Sequence, residues 1–129
     1  MGKGDEFNHS YTVSQGIYEG FISLFEDRNP LHTDKTFANG KGFKDKVMHG
    51  NILNGFISHF VGELLPVKNV ILQSQEIKYY KPVYLGDQLL FNAIIDDVYE
   101  SVNTVEFKFK FSTNTAIKVA SGKIWIGII

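Results

Sequence analysis

The stretch Asp27-Arg28-Asn29-Pro30-Leu31-His32 sets a carboxylate and an imidazole five residues apart. On a continuous helix the two would stand about 140° apart around the axis and could not act on one molecule. Pro30 interrupts any such helix, and a turn can bring both side chains to one point. A carboxylate beside an imidazole can hold a water and move protons near neutral pH. The same residues also suit plain turn chemistry, since Asp at a helix end followed by Asn-Pro is a common exit from a helix.

A second stretch, Val47-Met48-His49-Gly50, directly precedes an apolar helical pattern. Free amides at a helix start, with the helix dipole behind them, can stabilise negative charge on an oxygen. A glycine there lets a ligand approach the backbone without meeting a Cβ. Read alone, Gly50 only eases the chain into the helix. The third stretch, Tyr80-Lys81-Pro82-Val83 with Leu85-Gly86-Asp87, reads locally as a strand end and a turn. Arg28, Lys35, Lys41, Lys44 and Lys46 could receive phosphates, but a solvated loop is the more ordinary reading. His59 has no ligand-like spacing to His49, and a metal on Asp27 and His32 lacks a visible third ligand. No Walker loop or dinucleotide fingerprint is present.

The elements that must position these residues change character at Pro66. Before it the periodicity is helical. Ser14 is a fitting N-cap for a first helix whose Ile17, Tyr18, Phe21, Leu24 and Phe25 form one apolar stripe. A short strand over Phe7 to Val13 precedes it, and a helix of one or two turns over Thr33 to Asn39 follows, then a Gly40–Gly42 loop. A second major helix is expected from Gly50 to Leu65, with Ile52, Leu53, Phe56, Ile57, Phe60, Val61 and Leu64 as its apolar stripe. Its remaining face holds one charge, Glu63, which predicts burial on most sides. Gly55 and Gly62 cost about 1 kcal/mol each relative to Ala, so another backbone is expected close to them.

After Pro66 the period is two. Val70 to Tyr80 is one strand, and Leu89, Phe91, Ala93 and Ile95 make one face of the next. Val105, Phe107, Phe109 and Phe111 then alternate with Glu106, Lys108, Lys110 and Ser112. A turn at Asn114 leads into a last strand, Ala116 to Ile129, with a bulge predicted near Gly122. The layout is α+β, an antiparallel sheet wrapped around a long central helix.

Length and composition narrow the function classes. At 129 residues, one domain over 1–129 is expected. With 43% hydrophobic residues it can build a core without staples, and with no cysteine it has no disulfide, thiolate metal site or cysteine nucleophile. Thirteen basic against fourteen acidic residues argue against a dedicated nucleic-acid binder. Residues 1–10 lack the apolar core of a secretory signal, and no run is long enough to span a bilayer. A cytoplasmic location without membrane attachment is expected.

Taken together the three stretches resemble the MaoC-like family of (R)-specific enoyl-CoA hydratases. Asp27 to His32, with Asp34 and Ala38 following, is similar to that family's hydratase signature. Gly42-Phe43 with Val47-Met48-His49-Gly50 is similar to its second element, and Tyr80-Lys81-Pro82-Val83-Tyr84-Leu85-Gly86-Asp87 to its strand-and-turn motif. The matches keep the family's order and, with the strands that follow, cover about residues 7 to 129. The resemblance implies a hot-dog fold with a helix-and-loop overhang before the central helix. It further implies a homodimer and reversible addition of water to a trans-2-enoyl thioester, giving the (R)-3-hydroxyacyl thioester. No metal or other cofactor is implied, since the substrate carries its own CoA or acyl carrier protein arm.

By the same resemblance, Asp27 and His32 hold the water and transfer protons, and the Gly50 amide polarises the thioester carbonyl. Asn29, His49, Asn51 and Asn54 complete the expected site as substrate contacts. The chain departs from the family at Phe25-Glu26, where a small residue and a glycine are usual, and at Asn51, where an apolar residue is usual. If Asn51 and Asn54 line the acyl path, a short or polar acyl group suits it better than a long plain one. The rival readings are a carrier-protein-linked dehydratase, a hot-dog thioesterase and a non-catalytic acyl-thioester-binding domain.

Overall fold

The computed structural model describes residues 1–129. The chain opens with strand β1 (Glu6–Thr12), followed by helices α1 (Gln15–Phe25), α2 (Pro30–Thr33) and α3 (Lys35–Gly40). Helix α4 (Asn51–His59) runs on into a π-helical turn at Phe60–Leu64. Strands β2 (Val70–Tyr79), β3 (Gln88–Tyr99), β4 (Thr104–Ser112) and β5 (Lys118–Ile128) complete the chain. All five strands form one antiparallel sheet in the order β1-β3-β4-β5-β2. No helix is long and apolar enough to cross a membrane.

The sheet curls over α4 because one face of each is apolar. Ile52, Leu53, Phe56, Ile57, Phe60 and Val61 are buried on the helix, and Phe91, Ile95, Phe107, Phe111, Ile124 and Ile126 on the strands. The Phe60 ring lies 4.9 Å from that of Phe91 and meets Phe107 edge-on at 5.6 Å. Each such side chain, fully buried, stabilises the fold by roughly 1.5–3 kcal/mol. The Ser14 hydroxyl caps α1 by accepting from the Ile17 amide at 3.2 Å, as expected.

Of the α1 stripe only Tyr18 is buried, while Phe21 packs in part against the core and Leu24 and Phe25 are 77% and 68% exposed. Three expectations are corrected. Helix α4 is not buried on most sides: Asn51, Gly55, Ser58, His59, Gly62 and Glu63 form an exposed face. No backbone approaches Gly55 or Gly62, where an added Cβ would meet nothing within 4 Å. The break in β5 falls at Val119, between the pairs Phe111–Ala120 and Ser112–Lys118, and β5 starts at Lys118. Gly122 serves another purpose, since a Cβ there would sit 1.9 Å from the Glu76 carbonyl oxygen on β2.

Candidate active site

Helix α1 stops because Glu26 takes the left-handed conformation, φ 59°, while its amide donates to the Ile22 carbonyl at 2.8 Å. The chain then reverses over three residues. The Asn29 amide donates to Asp27 Oδ1 at 3.2 Å, and the Asn29 side chain accepts from the Leu31 amide at 3.0 Å, capping α2. Pro30 occupies the first turn of α2, where its missing N–H is no loss. This double Asx turn folds Asp27 back over α2, so that Asp27 Oδ2 stands 4.0 Å from His32 Nε2. Asn29 therefore shapes the turn, and its side-chain oxygen is occupied by the cap.

The His32 ring is fixed from behind. Its Nδ1–H donates to the Val47 carbonyl at 2.7 Å, so in the neutral ring Nε2 carries the lone pair and faces Asp27. A separation of 4.0 Å is too long for a direct hydrogen bond and is one that a water can bridge. The Tyr18 hydroxyl donates to the His32 carbonyl at 2.6 Å, tying α1 to α2.

His49, expected among the substrate contacts, is 2% exposed and lies behind the pair. Its ring stacks on that of His32, centroids 4.0 Å apart, and its Nε2–H donates to the Asp27 backbone carbonyl at 2.9 Å. Phe21 packs on it at 4.6 Å, and its Nδ1 is buried without a partner. One residue thus touches both halves of the Asp27–His32 pair. One ligand atom from each of Asp27, His32 and His49 also falls within 4.8 Å of the others, which supplies the third ligand not visible in the spacing. The two rings stack, and one nitrogen of each, His32 Nδ1 and His49 Nε2, is committed to a backbone carbonyl.

Gly50 lies at the start of α4. The first helical bonds there are made by the Ile52 amide to the His49 carbonyl and the Leu53 amide to the Gly50 carbonyl. The amides of Gly50 and Asn51 precede them and have no intrahelical acceptor. The Tyr79 ring leans on Gly50, where a Cβ would come within 3.0 Å of Tyr79 Cζ. Asn54 donates to Asn51 Oδ1 at 2.7 Å and to Tyr79 Oη at 3.4 Å, and accepts from the Gln75 amide. Burial raises the Tyr79 phenol pKa, and the bond from Asn54 opposes that rise.

Two cavities meet this site. A groove of about 1010 Å³ between β1, α1 and α4 includes Asp27, Asn51 and Asn54 in its walls. A smaller one of about 390 Å³ includes His32, Gly50, Tyr79, Lys81 and Pro82. The pair stands between them. Of the cationic segment, Lys44 and Lys46 rest on the rings of Tyr84 and Tyr18, at 4.5 and 5.1 Å. Tyr18 and Tyr79 shape the site without having been singled out for it, and Val47, part of the second stretch, does so through its backbone carbonyl. The one signal for Tyr18 was a hydroxyl set in an apolar stripe.

The family profile described as MaoC-like domain matches residues 1–116. An (R)-specific enoyl-CoA hydratase of Aeromonas caviae is 38% identical over 69 residues, covering 54% of this chain and 52% of its own. Another from Rhodospirillum rubrum is 28% identical over 106 residues, covering 82% and 74% respectively. The chain thus spans about half the length of the first relative. Among solved structures, the (R)-hydratase of A. caviae superposes with a TM-score of 0.90 at 24% identity, over 100% of this chain and 98% of its own. The fold is the hot-dog fold.

Proposed function

Because the chain belongs to the MaoC-like domain family, we propose that it adds water reversibly across the trans-2 double bond of an enoyl thioester, giving the (R)-3-hydroxyacyl thioester. The observation that carries this reading is the Asp27–His32 pair, with Nε2 turned to the carboxylate at 4.0 Å and Nδ1 pinned to Val47. Water held between them loses a proton to His32 Nε2 as its oxygen bonds to C3, while Asp27 orients it by accepting a hydrogen bond from the O–H that stays intact. The electrons of the double bond move towards the thioester carbonyl, whose oxygen becomes enolate-like and is met by the Gly50 amide. The proton on His32 is then delivered to C2, which restores the pair, and dehydration runs the same steps backwards. Each proton transfer contributes typically 10²–10⁴-fold.

The acyl tail takes the larger groove past Asn51 and Asn54, and the CoA or carrier-protein arm leaves by the smaller cavity past Tyr79 and Lys81. The chemistry calls for no metal or other cofactor. A homodimer is supported by β2, a ten-residue edge strand whose Ile71 and Leu72 are 52% and 40% exposed. Sedimentation at twice the chain mass is expected, and a monomer would overturn the dimer.

The test of function is incubation with crotonyl-CoA, following loss of the conjugated-enoyl absorbance and resolving the product on a chiral column. (R)-3-hydroxybutyryl-CoA is the expected product. An (S) product, or no turnover of any CoA or carrier-protein thioester, would overturn the reading.

A further inference from the structure

The larger groove changes character along its length. Near Asp27 its walls include Phe21, Phe25 and Ile52, with Asn51 and Asn54 beside them. Along α4 it continues past Gly55 and Phe56 to His59, eight residues beyond Asn51 and so about 12 Å along the axis. Here the wall carries imidazoles. His9 and Tyr11, two residues apart on β1 and so on one face of the sheet, come in beside His59. The His9 ring lies 4.6 Å from Tyr11 and 5.6 Å from His59, and Tyr11 stacks on Phe56 at 4.5 Å.

His59 has a partner at one ring nitrogen. Tyr11 Oη is 2.9 Å from His59 Nδ1. Burial pushes the Tyr11 phenol up to about 12, so the hydroxyl holds its proton and is able to donate. With Tyr11 as donor, His59 Nδ1 is the acceptor and the neutral ring carries its proton on Nε2. His59 and His9 are both exposed, and together they offer ring N–H donors at the far end of the channel. Glu63, one turn further along the helix, is not in the wall of the groove.

We infer that this end of the groove is a subsite for a carboxylate at the far end of the acyl chain, so that the preferred substrate is a dicarboxylic acyl thioester. The inference rests on the thioester reading above and deepens it. A plain hydrocarbon tail reaching this far would strip water from two imidazoles and give them no acceptor, which costs free energy. A terminal carboxylate accepts a hydrogen bond from a ring N–H at this end of the groove. Asn51 and Asn54, nearer the reacting carbons, are compatible with the same polar class of substrate.

The experiment compares trans-2-enoyl-CoAs from crotonyl to dodecenoyl with their ω-carboxylated counterparts, in wild type, His59→Leu and His9→Leu. Saturated analogues of both series, which cannot be hydrated, are titrated by calorimetry in parallel. The quantity read is the ratio of carboxylated to plain substrate at matched length, in which any loss of folded protein cancels. In wild type the ratio should rise to about tenfold once the tail spans the groove, the size expected of one hydrogen bond to a charged group at a part-exposed site. It should fall towards one in His59→Leu. A ratio at or below one at every length would overturn the subsite. So would a ratio unchanged in both variants, including the case where their sedimentation shifts and the face proves to belong to a second copy of the chain. Turnover without the preference overturns the subsite alone, and a binding preference without turnover overturns the hydratase reading alone.

Discussion

The imidazole of His49 lies face to face with that of His32, centroids 4.0 Å apart and planes inclined by 30°. The same His49 ring donates to the backbone carbonyl of Asp27, so one buried side chain sets the position of both members of the pair. Val47 holds the His32 ring by its Nδ1, His49 holds it by its face, and Asp27 is tethered through its own backbone.

That arrangement makes His49 a positioning residue. His49→Phe keeps the stacked face, removes the unpartnered Nδ1 and loses the bond to Asp27. Its thermal stability should stay near wild type, because leaving a buried polar atom unpaired costs about 1–3 kcal/mol and that cost disappears. Its kcat should fall about ten- to a hundredfold with KM little changed, the effect expected of a misplaced catalytic group. Partial recovery in His49→Gln, whose amide can still donate to Asp27, would separate positioning from packing. Equal losses in kcat for both variants, matched by equal losses in melting temperature, would assign His49 a structural role only.

Glu26 stands at φ 59°, in the left-handed region that ends α1 and that favours glycine. An L side chain there costs roughly 1–2 kcal/mol. Glu26→Gly should therefore raise stability by about 1 kcal/mol, after the extra freedom of glycine in the unfolded chain is subtracted. Urea unfolding measures it directly, and a lowered midpoint at constant slope would contradict the account.

Gly50 meets the Tyr79 ring so closely that an added Cβ would lie 3.0 Å from Cζ. Tyr79 is exposed and can shift, and Gly50 has a φ of −58° that alanine also adopts. Gly50→Ala should fold, lose no more than about 1–3 kcal/mol to overpacking, and lose turnover by at least about tenfold as the methyl crowds the amide that meets the thioester oxygen. Adding Tyr79→Ala should return stability and leave the rate low. Recovery of both would place the defect in packing alone.

Tyr11 makes alkaline stability a readout of the groove. Its phenol titrates near 12 in the folded protein and near 10 when unfolded. Below pH 10 both states hold the proton, and between pH 10 and 12 the unfolded state releases it first. Stability should therefore fall with rising pH across that window. Tyr11→Phe should flatten the fall by up to one proton's slope. An identical slope in both proteins would show that Tyr11 is not shielded.

Much of this was legible from residue patterns, and the parts that were not have physical reasons. The alternation of Val105, Phe107, Phe109 and Phe111 located β4, and the Ile52 to Val61 stripe located α4, because each pattern reports a single buried face. Asp27 and His32 were legible because Pro30 forces a turn between them. His49 was named as a substrate contact, but its place behind the pair was not legible, since it joins the pair through space, its partners lying 17 and 22 residues away in the chain. The α1 stripe did not tell where its face would lie, because an apolar face can line an open groove as well as a core. The break in β5 was misplaced because Val119 and Ala120 are both buried. The pattern there cannot locate the extra residue, and Gly122 drew attention for a reason that belongs to β2.

The most direct test of the central claim is the crotonyl-CoA hydration rate of Asp27→Asn, His32→Ala and the double variant. If the pair works on one water, each single variant should lose about 10²–10⁴-fold in kcat/KM, and the double should be no slower than the worse single. Wild-type rates in either single variant would contradict the account.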